Sequence, residues 1–457
     1  MSRRTLWQRG QALILVALAF VGLAAFIGLA VDAGILFTDV GHLRRAVDAG
    51  ALAAANQYRR NVPASQLAEA AQELLQLNNL SAATAVVHVC DVTNPTSIYM
   101  DTSLCPPGYP SAPTGRYHKY VSVRGSMPVN FAFLPIIGLD SVDISASAQA
   151  EAASLDLVLV IDESNSMAFD GADTNPDTCN PGNTCYPFHD VKAAATSFVN
   201  QMYFPFDHVA VVSFADHATT VTGLTGDQTT VLNAVSSLQV QNLPSCPHYP
   251  PDPSGCLGTD IADGLLEAGQ ALTAASDKEA VWVTVLLTDG AANQAYDTST
   301  SSWICPGTSG NHDWIQPFCR DGDPSQDNPG VYGYDAEDAA RDAGYLLGCY
   351  ANGDPDQSTW CQSHGVNGVG SLIFTIGLGD KVINDPNAPL DPNAGERLLR
   401  EVANIGDDGD LQSGSGNPCS SAAIGTSCGN YYYSPTGGGL SGAFDAIAKK
   451  IFTRLTK

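Results

Sequence analysis

Oxygen-bearing side chains follow an apolar run at the start of the second third of the chain. Asp162-Glu-Ser-Asn-Ser166 comes directly after residues 155–161, whose composition is typical of a buried parallel strand. One carboxylate and two hydroxyls on a single turn are hard oxygen donors, which suit Mg²⁺, Mn²⁺ or Ca²⁺ better than Zn²⁺. The same residue types are common in turns and helix caps. This run alone therefore leaves a metal site and an ordinary turn both open.

Two further segments carry oxygen donors at predicted junctions between strands and helices. Gly258-Thr259-Asp260 precedes a helical pattern, and Asp289 follows the strand-like residues 281–288. Loops at the carboxyl ends of the strands line the binding crevice of an open α/β sheet. Asp260 has two readings that stay open here, a second layer around a metal or the first residue of its helix. Glu163 and Asn165 are expected to point away from an ion.

From residue 155 the pattern alternates between strands and helices, which predicts a doubly wound, mainly parallel α/β sheet. Loops 168–188, 240–257 and 290–334 are rich in Pro, Gly, Asn, Asp and Cys, and we expect them to surround the site. The predicted strands are 157–161, 208–214, 281–288, 371–377, a short antiparallel edge at 219–222 and 431–433. The predicted helices are 190–202, 228–238, 259–274, 336–347, 394–403 and 440–455.

The chain begins with a basic segment and an apolar one. Residues 1–10 carry three arginines, and residues 11–31 have no charged side chain, which is the length that a helix needs to cross a bilayer. The arginines predict a cytoplasmic N-terminus with the remainder exported. A cleaved secretory signal is the rival reading. We favour a retained anchor in the cell (inner) membrane, because the helical pattern continues to about Arg60.

The residues after this anchor, 32–152, predict an α+β stem. A helical pattern covers residues 64–76, and strand-like runs cover 84–89, 120–124 and 140–148, the last two alternating as half-buried strands do. Residues 127–138 are interpreted as an apolar connector between the second and third strands.

Charge and cysteine content restrict the class of protein. The net charge is −26, with +4 in residues 1–60 and −30 in the remainder, so nucleic acid is excluded as a partner. All twelve cysteines follow residue 89, which in an exported chain indicates disulfides. Zinc is the alternative, but no C-x-x-C pair is present. Spacing suggests six neighbouring pairs, although it does not fix the connectivity: Cys90/Cys105, Cys179/Cys185, Cys246/Cys256, Cys305/Cys319, Cys349/Cys361 and Cys419/Cys428.

Residues 154–457 resemble a von Willebrand factor A (VWA) domain, through the three segments around Asp162, Thr259 and Asp289. The resemblance implies a metal-ion-dependent adhesion site. In such a site the hydroxyls of Ser164, Ser166 and Thr259 would contact a divalent cation, and Asp162 and Asp289 would hold it directly or through water. Mg²⁺ is expected, with Mn²⁺ or Ca²⁺ as alternatives. One coordination position would remain open to a carboxylate from a protein partner.

Residues 5–152 resemble the TadE/TadG-like proteins of tight-adherence (Flp/Tad) pilus systems. The related minor pilins are cleaved after a glycine and carry Glu five residues later, whereas here Leu15 stands five residues after Gly10. The resemblance thus implies a protein that keeps its anchor. The segments that carry it are Arg9-Gly-Gln-Ala-Leu13, Val31-Asp-Ala-Gly34, Leu43-Arg-Arg-Ala-Val-Asp-Ala-Gly-Ala-Leu-Ala53, Phe133-Leu-Pro135 and Val142-Asp-Ile-Ser-Ala-Ser-Ala148.

These observations favour a binding protein over an enzyme. The nine histidines form no catalytic set with cysteine or aspartate, and no nucleophile-elbow, Walker or dinucleotide motif is present. The favoured hypothesis is metal-dependent binding of pilus or pilus-assembly components, or of a surface ligand presenting a carboxylate. One alternative is a structural anchor of the pilus or secretion machinery, in which the metal only stabilises the fold. A less favoured one is an envelope metallohydrolase.

Overall fold

The structure, a computed structural model, describes most of the chain. Between Ala153 and Ser154 the chain divides into two compact units, which we call the stem and the head. The described residues are 5–60, 62–90, 94, 96–105, 119–242, 258–274, 280–297, 302–303, 335–386 and 391–454.

The stem joins two helices to a three-stranded antiparallel sheet. One face of the first helix, with Leu43, Ala46 and Val47 fully buried, packs on the sheet at Gly125. A Cβ at Gly125 would lie 2.5 Å from a Val47 methyl carbon, so glycine is required there. The sheet order is β1-β2-β3. The elements are α1 (Thr5–Arg59), α2 (Ala64–Leu77), β1 (Thr84–Val89), β2 (Lys119–Asn130) and β3 (Ser141–Ala152).

The first part of α1 has the composition of a membrane span. Its most apolar 18-residue window has a mean hydropathy of 2.8, and 6% of that window is buried. A signal sequence near an N-terminus has the same properties, so the helix is a candidate for either. The prediction that the helix continues to about Arg60 is confirmed.

The predicted end of the second strand, at Arg124, is wrong. β2 continues six residues further, and its alternation of buried and exposed side chains continues through Met127 and Val129. Pro128 pairs with Asp143 of β3 but lies beyond Ser126, where the pairing with β1 ends. Proline is tolerated at such an open sheet edge. The predicted connector is therefore shorter than residues 127–138.

The head is a six-stranded sheet with helices on both faces, which confirms the predicted fold class. The strand order is β11-β10-β7-β4-β5-β6, with every pair parallel except β5 and β6. The strands are β4 (Leu155–Asp162), β5 (His208–Phe214), β6 (Ala218–Thr225), β7 (Val281–Thr288), β8 (Tyr296–Asp297), β9 (Ser302–Trp303), β10 (Leu372–Leu378) and β11 (Tyr431–Ser434). The helices are α3 (Pro176–Gly182), α4 (Phe188–Val199), α5 (Gln228–Ser237), α6 (Ile261–Thr273), α7 (Ala336–Gly348), α8 (Thr359–His364), α9 (Ala394–Asp408) and α10 (Leu440–Arg454).

Two apolar layers enclose this sheet. Alternate side chains of β4 point to opposite faces, Leu157 and Leu159 toward α4, α5 and α10, and Val158 and Val160 toward α6, α7 and α9. Every residue of β4 is buried, as expected for a central parallel strand. The position of the carboxyl end of β4 is therefore fixed by apolar packing on both faces of the sheet.

Some of the local structure differs from the sequence predictions. Residues 168–188, predicted as a loop, contain α3, and α8 was not predicted.

The described cysteines form four disulfides, and each is one of the suggested neighbouring pairs. The suggested pairs Cys246/Cys256 and Cys305/Cys319 lie outside the described residues, as do most of loops 240–257 and 290–334.

Candidate functional site

The centre of the site is the end of β4. Asp162 is the last residue of that strand and is fully buried. Its Oδ1 accepts a hydrogen bond from the Ser164 backbone N–H at 2.7 Å, which shapes the turn that follows. Its Oδ2 accepts from the Thr288 hydroxyl at 2.6 Å. Because Thr288 ends the neighbouring parallel strand β7, the sheet register fixes the position of the carboxylate.

Two serines connect this carboxylate to a second one. The hydroxyls of Ser164 and Ser166 lie 3.0 Å apart, and Ser166 donates to Asp289 Oδ1 at 2.6 Å. Asp289 directly follows β7 and is also buried. Four of the five predicted ligands, Asp162, Ser164, Ser166 and Asp289, thus form one hydrogen-bonded cluster.

Thr259, the fifth predicted residue, is buried just before the start of α6. Its backbone N–H donates to the Asn293 side-chain oxygen at 2.7 Å, and the Asn293 N–H donates to the Thr259 carbonyl at 3.2 Å. The described contacts of Thr259 therefore run through Asn293 to the segment that begins at Asp289. Sequence reasoning missed Asn293, whose only signal is a position four residues after Asp289.

A described hydrogen bond of Asp260 favours one of its two interpretations. Its side chain accepts from the Asp263 N–H at 3.0 Å and caps α6, which supports the reading as the start of the helix. The Glu163 carboxylate accepts from the Gln239 N–H at 2.9 Å, outside the cluster, as expected. Burial raises the pKa of Glu163 to about 7.

Burial dominates the electrostatics of the cluster. It raises the pKa of Asp162. Burial together with the nearby charge of Asp162 raises the pKa of Asp289 to about 7. Two carboxylates that share a buried space disfavour each other's ionised form, and a divalent cation would reverse that preference. Carboxylate and hydroxyl oxygens in this arrangement fit a hard cation.

The donor set differs from that of most catalytic metal centres. Over the described ranges, no three His, Cys, Asp or Glu side chains are placed to hold a metal. A cation at this site would therefore depend on the serine and threonine hydroxyls together with two carboxylates.

An exposed aromatic ring and a lysine lie near the cluster, and sequence reasoning missed both. Phe169 follows the short 3₁₀ turn Asn165–Ala168 and is 49% exposed. Lys381 Nζ lies 4.7 Å from the centre of the Phe169 ring, and its charge acts to lower the pKa of Asp289. Lys381 belongs to the 3₁₀ turn Asp380–Val382 after β10, the strand next to β7. Its position at a strand end was the available signal.

Residues 157–291 match the family model of the von Willebrand factor type A domain. The head contains a VWA domain. All five predicted ligands lie within the matched residues, at the carboxyl ends of the strands and the start of α6. A search of curated proteins found no match.

Several solved structures resemble this chain. The vWF domain of the type V pili tip protein Mfa5 from Porphyromonas gingivalis is 15% identical, with a TM-score of 0.38, over 67% of this chain and 98% of that one. The pilus adhesin SpaC from Lactobacillus rhamnosus GG is 16% identical, with a TM-score of 0.40, over 80% and 37%. Proximal thread matrix protein 1 from the mussel byssus, with a zinc-occupied MIDAS motif, is 16% identical, with a TM-score of 0.33, over 66% and 46%. This chain thus spans less than half of the last two.

Proposed function

We propose that the protein is a membrane-anchored, metal-dependent binding protein of the adhesion type, acting in Tad/Flp pilus assembly or surface adherence. The observation that carries the metal-dependent part is the single cluster of Asp162, Ser164, Ser166 and Asp289, inside a VWA domain. The TadE/TadG-like segments of the stem support the pilus context.

The residues of the cluster would hold the cation, most simply Mg²⁺, with Mn²⁺ or Ca²⁺ as alternatives. Ser164, Ser166 and Thr259 would supply neutral hydroxyl oxygens, and Asp162 and Asp289 would supply the negative charge. With few carboxylates around it, a bound cation supplies an electron-poor position that attracts a carboxylate from a partner protein. Thr288 and Asn293 keep the carboxylate of Asp162 and the backbone of Thr259 in place.

The anchor is residues 11–31 of α1, with the N-terminus in the cytoplasm. The supporting observations are the apolar side chains of this segment, such as Leu18, Phe20 and Phe26, each more than 60% exposed, and the preceding arginines. Exposed apolar surface of this extent is stable in lipid but not in water. The stem and head would then lie on the periplasmic or extracellular side of the cell (inner) membrane.

A structural anchor is the second candidate. Its supporting observation is that the cluster is already connected by hydrogen bonds among its own side chains, so a cation there could act only on stability. This candidate predicts that chelation lowers the melting temperature but leaves binding to pilus components unchanged.

Calorimetric titration tests the proposal. Mg²⁺, Mn²⁺ and Ca²⁺ would be titrated into the oxidised full chain in detergent and into its Asp162→Ala variant. Asp356→Ala, which removes an exposed carboxylate of the head, is the matched control. We expect one-site binding that Asp162→Ala abolishes and Asp356→Ala retains. Binding that survives Asp162→Ala would overturn the metal site.

The partner is tested next, with pilus components as the ligands. Capture by the full chain should require the cation, be lost on chelation and fail with Asp162→Ala. If capture is unchanged in both conditions while the melting temperature falls, the structural anchor is correct instead.

A further inference from the structure

The connection between β2 and β3 exposes an apolar surface. We call residues 131–139 the tip. Within it Phe133 is 44% exposed, Ile136 84%, Ile137 71% and Leu139 53%. No charged side chain occurs from residue 125 to residue 139. Exposed apolar patches of this kind mark contact sites.

The tip lies beside the end of the uncharged part of α1. Phe133 packs directly on Gly28, where an added Cβ would lie 2.9 Å from Phe133 Cβ. Gly28 is three residues before the end of the uncharged segment 11–31. At 1.5 Å per residue, Phe133 is therefore at a level roughly 4–5 Å inside that end.

Asp32 fixes the tip at this level. Its Oδ1 accepts from the backbone N–H of Ala132 at 2.7 Å, and its Oδ2 accepts from that of Leu134 at 2.8 Å. The N–H of Phe133 lies 3.1 Å and 3.2 Å from the two oxygens. The tip also closes on itself, since the Phe131 N–H donates to the Asp140 carbonyl at 3.0 Å. The tip and the helix are thus joined over residues that lie about a hundred positions apart in sequence.

We propose that the tip is a second membrane contact of the stem, which enters the lipid at the outer end of the α1 span. This inference rests on the proposed span of residues 11–31. If that segment lies in hydrocarbon, a side chain at the level of Gly28 does so too. The exposed surface of the tip is also continuous with that of α1, where Ile27 and Leu29 are each 53% exposed.

The flanking charges set a limit to this contact. Arg124 and Asp140 bound the uncharged segment 125–139 and would remain at the polar boundary, since charged side chains are costly in hydrocarbon. With two contacts, the helix and the tip, the stem would resist tilting away from the side that carries the tip.

Spin labels at matched positions test this proposal. The full chain with Ile136→Cys, Ile98→Cys or Leu18→Cys would be labelled without reductant and reconstituted in phosphatidylcholine–phosphatidylglycerol vesicles. Ile98 is 83% exposed, close to the 84% of Ile136. It belongs to the segment after β1, whose Cys90 carbonyl accepts from the Tyr58 hydroxyl. Tyr58 is 26 residues beyond Asp32 on α1, about 39 Å along the helix.

The readout is the collision rate of each label with oxygen, which concentrates in lipid, relative to a water-soluble nickel chelate. We expect a severalfold higher ratio at Ile136→Cys than at Ile98→Cys, approaching that at Leu18→Cys. A lipid-like value at Leu18→Cys with a water-like value at Ile136→Cys would overturn the tip contact alone. Water-like values at both would overturn the span as well. If Ile136→Cys is shielded from both reagents, a protein covers the tip and the proposal is wrong.

Discussion

Asp32 in the stem and Asp162 in the head are both fully buried aspartates, but their surroundings differ. Asp32 receives three backbone N–H groups from the tip. Asp162 accepts from the Ser164 backbone N–H and from the Thr288 hydroxyl. It also shares its buried surroundings with a second carboxylate, Asp289, whose pKa is raised by burial and by the charge of Asp162.

The difference separates a structural carboxylate from one suited to a ligand. The hydrogen bonds of the tip compensate the charge of Asp32 from within the chain, so its expected role is to hold two segments together. In the head, two buried carboxylates lie close enough to disfavour each other's charge, and a cation would balance the two negative charges. Burial alone therefore does not distinguish the two aspartates, whereas the presence of a second buried carboxylate does.

The largest expected effect is a difference between matched substitutions. Asp289→Asn should weaken Mg²⁺ binding by on the order of 100-fold or more, because it removes a charge from the cluster. Asp32→Asn, an identical change in the stem, should leave Mg²⁺ affinity unchanged. Calorimetry on the full chain measures both. Equal losses of Mg²⁺ affinity in the two variants would show that Asp289 is no more involved in cation binding than Asp32.

The second effect concerns the tip. Asp32→Ala leaves three N–H groups without their acceptor, and we expect the amides of residues 132–134 to exchange with deuterium at least about tenfold faster. Exchange of the Ser164 amide in the head serves as the internal control. Unchanged protection at residues 132–134 would show that the packing of Phe133 on Gly28 is sufficient to hold the tip.

A third effect is on the thermal stability of the head. Mg²⁺ at about 100 times its dissociation constant should stabilise the head by about 2.7 kcal/mol, which for a domain of this size corresponds to a rise in melting temperature of about 4 °C. Differential scanning calorimetry resolves this change. The Asp162→Ala variant should show no rise, and a rise of the same size in that variant would place the cation elsewhere.

The smallest effect is expected at Phe169. If a partner contacts the cation, this exposed ring lies beside it, and Phe169→Ala should weaken capture about fivefold without changing Mg²⁺ affinity. Ile424→Ala, which removes another exposed apolar side chain of the head, is the control. A parallel loss of Mg²⁺ affinity would mean that Phe169 supports the site rather than the partner.

Local sequence was sufficient for those parts of the molecule that depend on strand ends. The donors after β4 and β7 follow apolar runs directly, and in a parallel sheet such ends meet at one edge. The pairing of Asp32 with residues 132–134 had no such signal, because backbone N–H groups carry no side-chain signature. Asn293 was missed for a related reason, since only the packing of the turn after β7 brings it to Thr259. Lys381 was missed although it follows the carboxyl end of β10, where the same rule about strand ends applied.

The same limit explains the error at β2. Gly125 and Pro128 interrupt the apparent strand, yet Gly125 is needed where α1 crosses the sheet, and Pro128 lies where β1 has already ended. Each residue is thus compatible with the strand because of a second element, α1 for Gly125 and the end of β1 for Pro128. The signal that continued through Gly125 and Pro128 was the alternation of apolar side chains along β2, at Val121, Val123, Met127 and Val129.

In α1 the apolar segment and the face that packs on the stem sheet belong to one uninterrupted helix of 55 residues, roughly 80 Å long. In the proposed arrangement no flexible joint separates the bilayer from the stem. A lateral force on the stem sheet would therefore be transmitted along α1 and would tilt its membrane-spanning segment in the lipid. The mechanical compliance of the attachment would then lie in the membrane rather than in the protein.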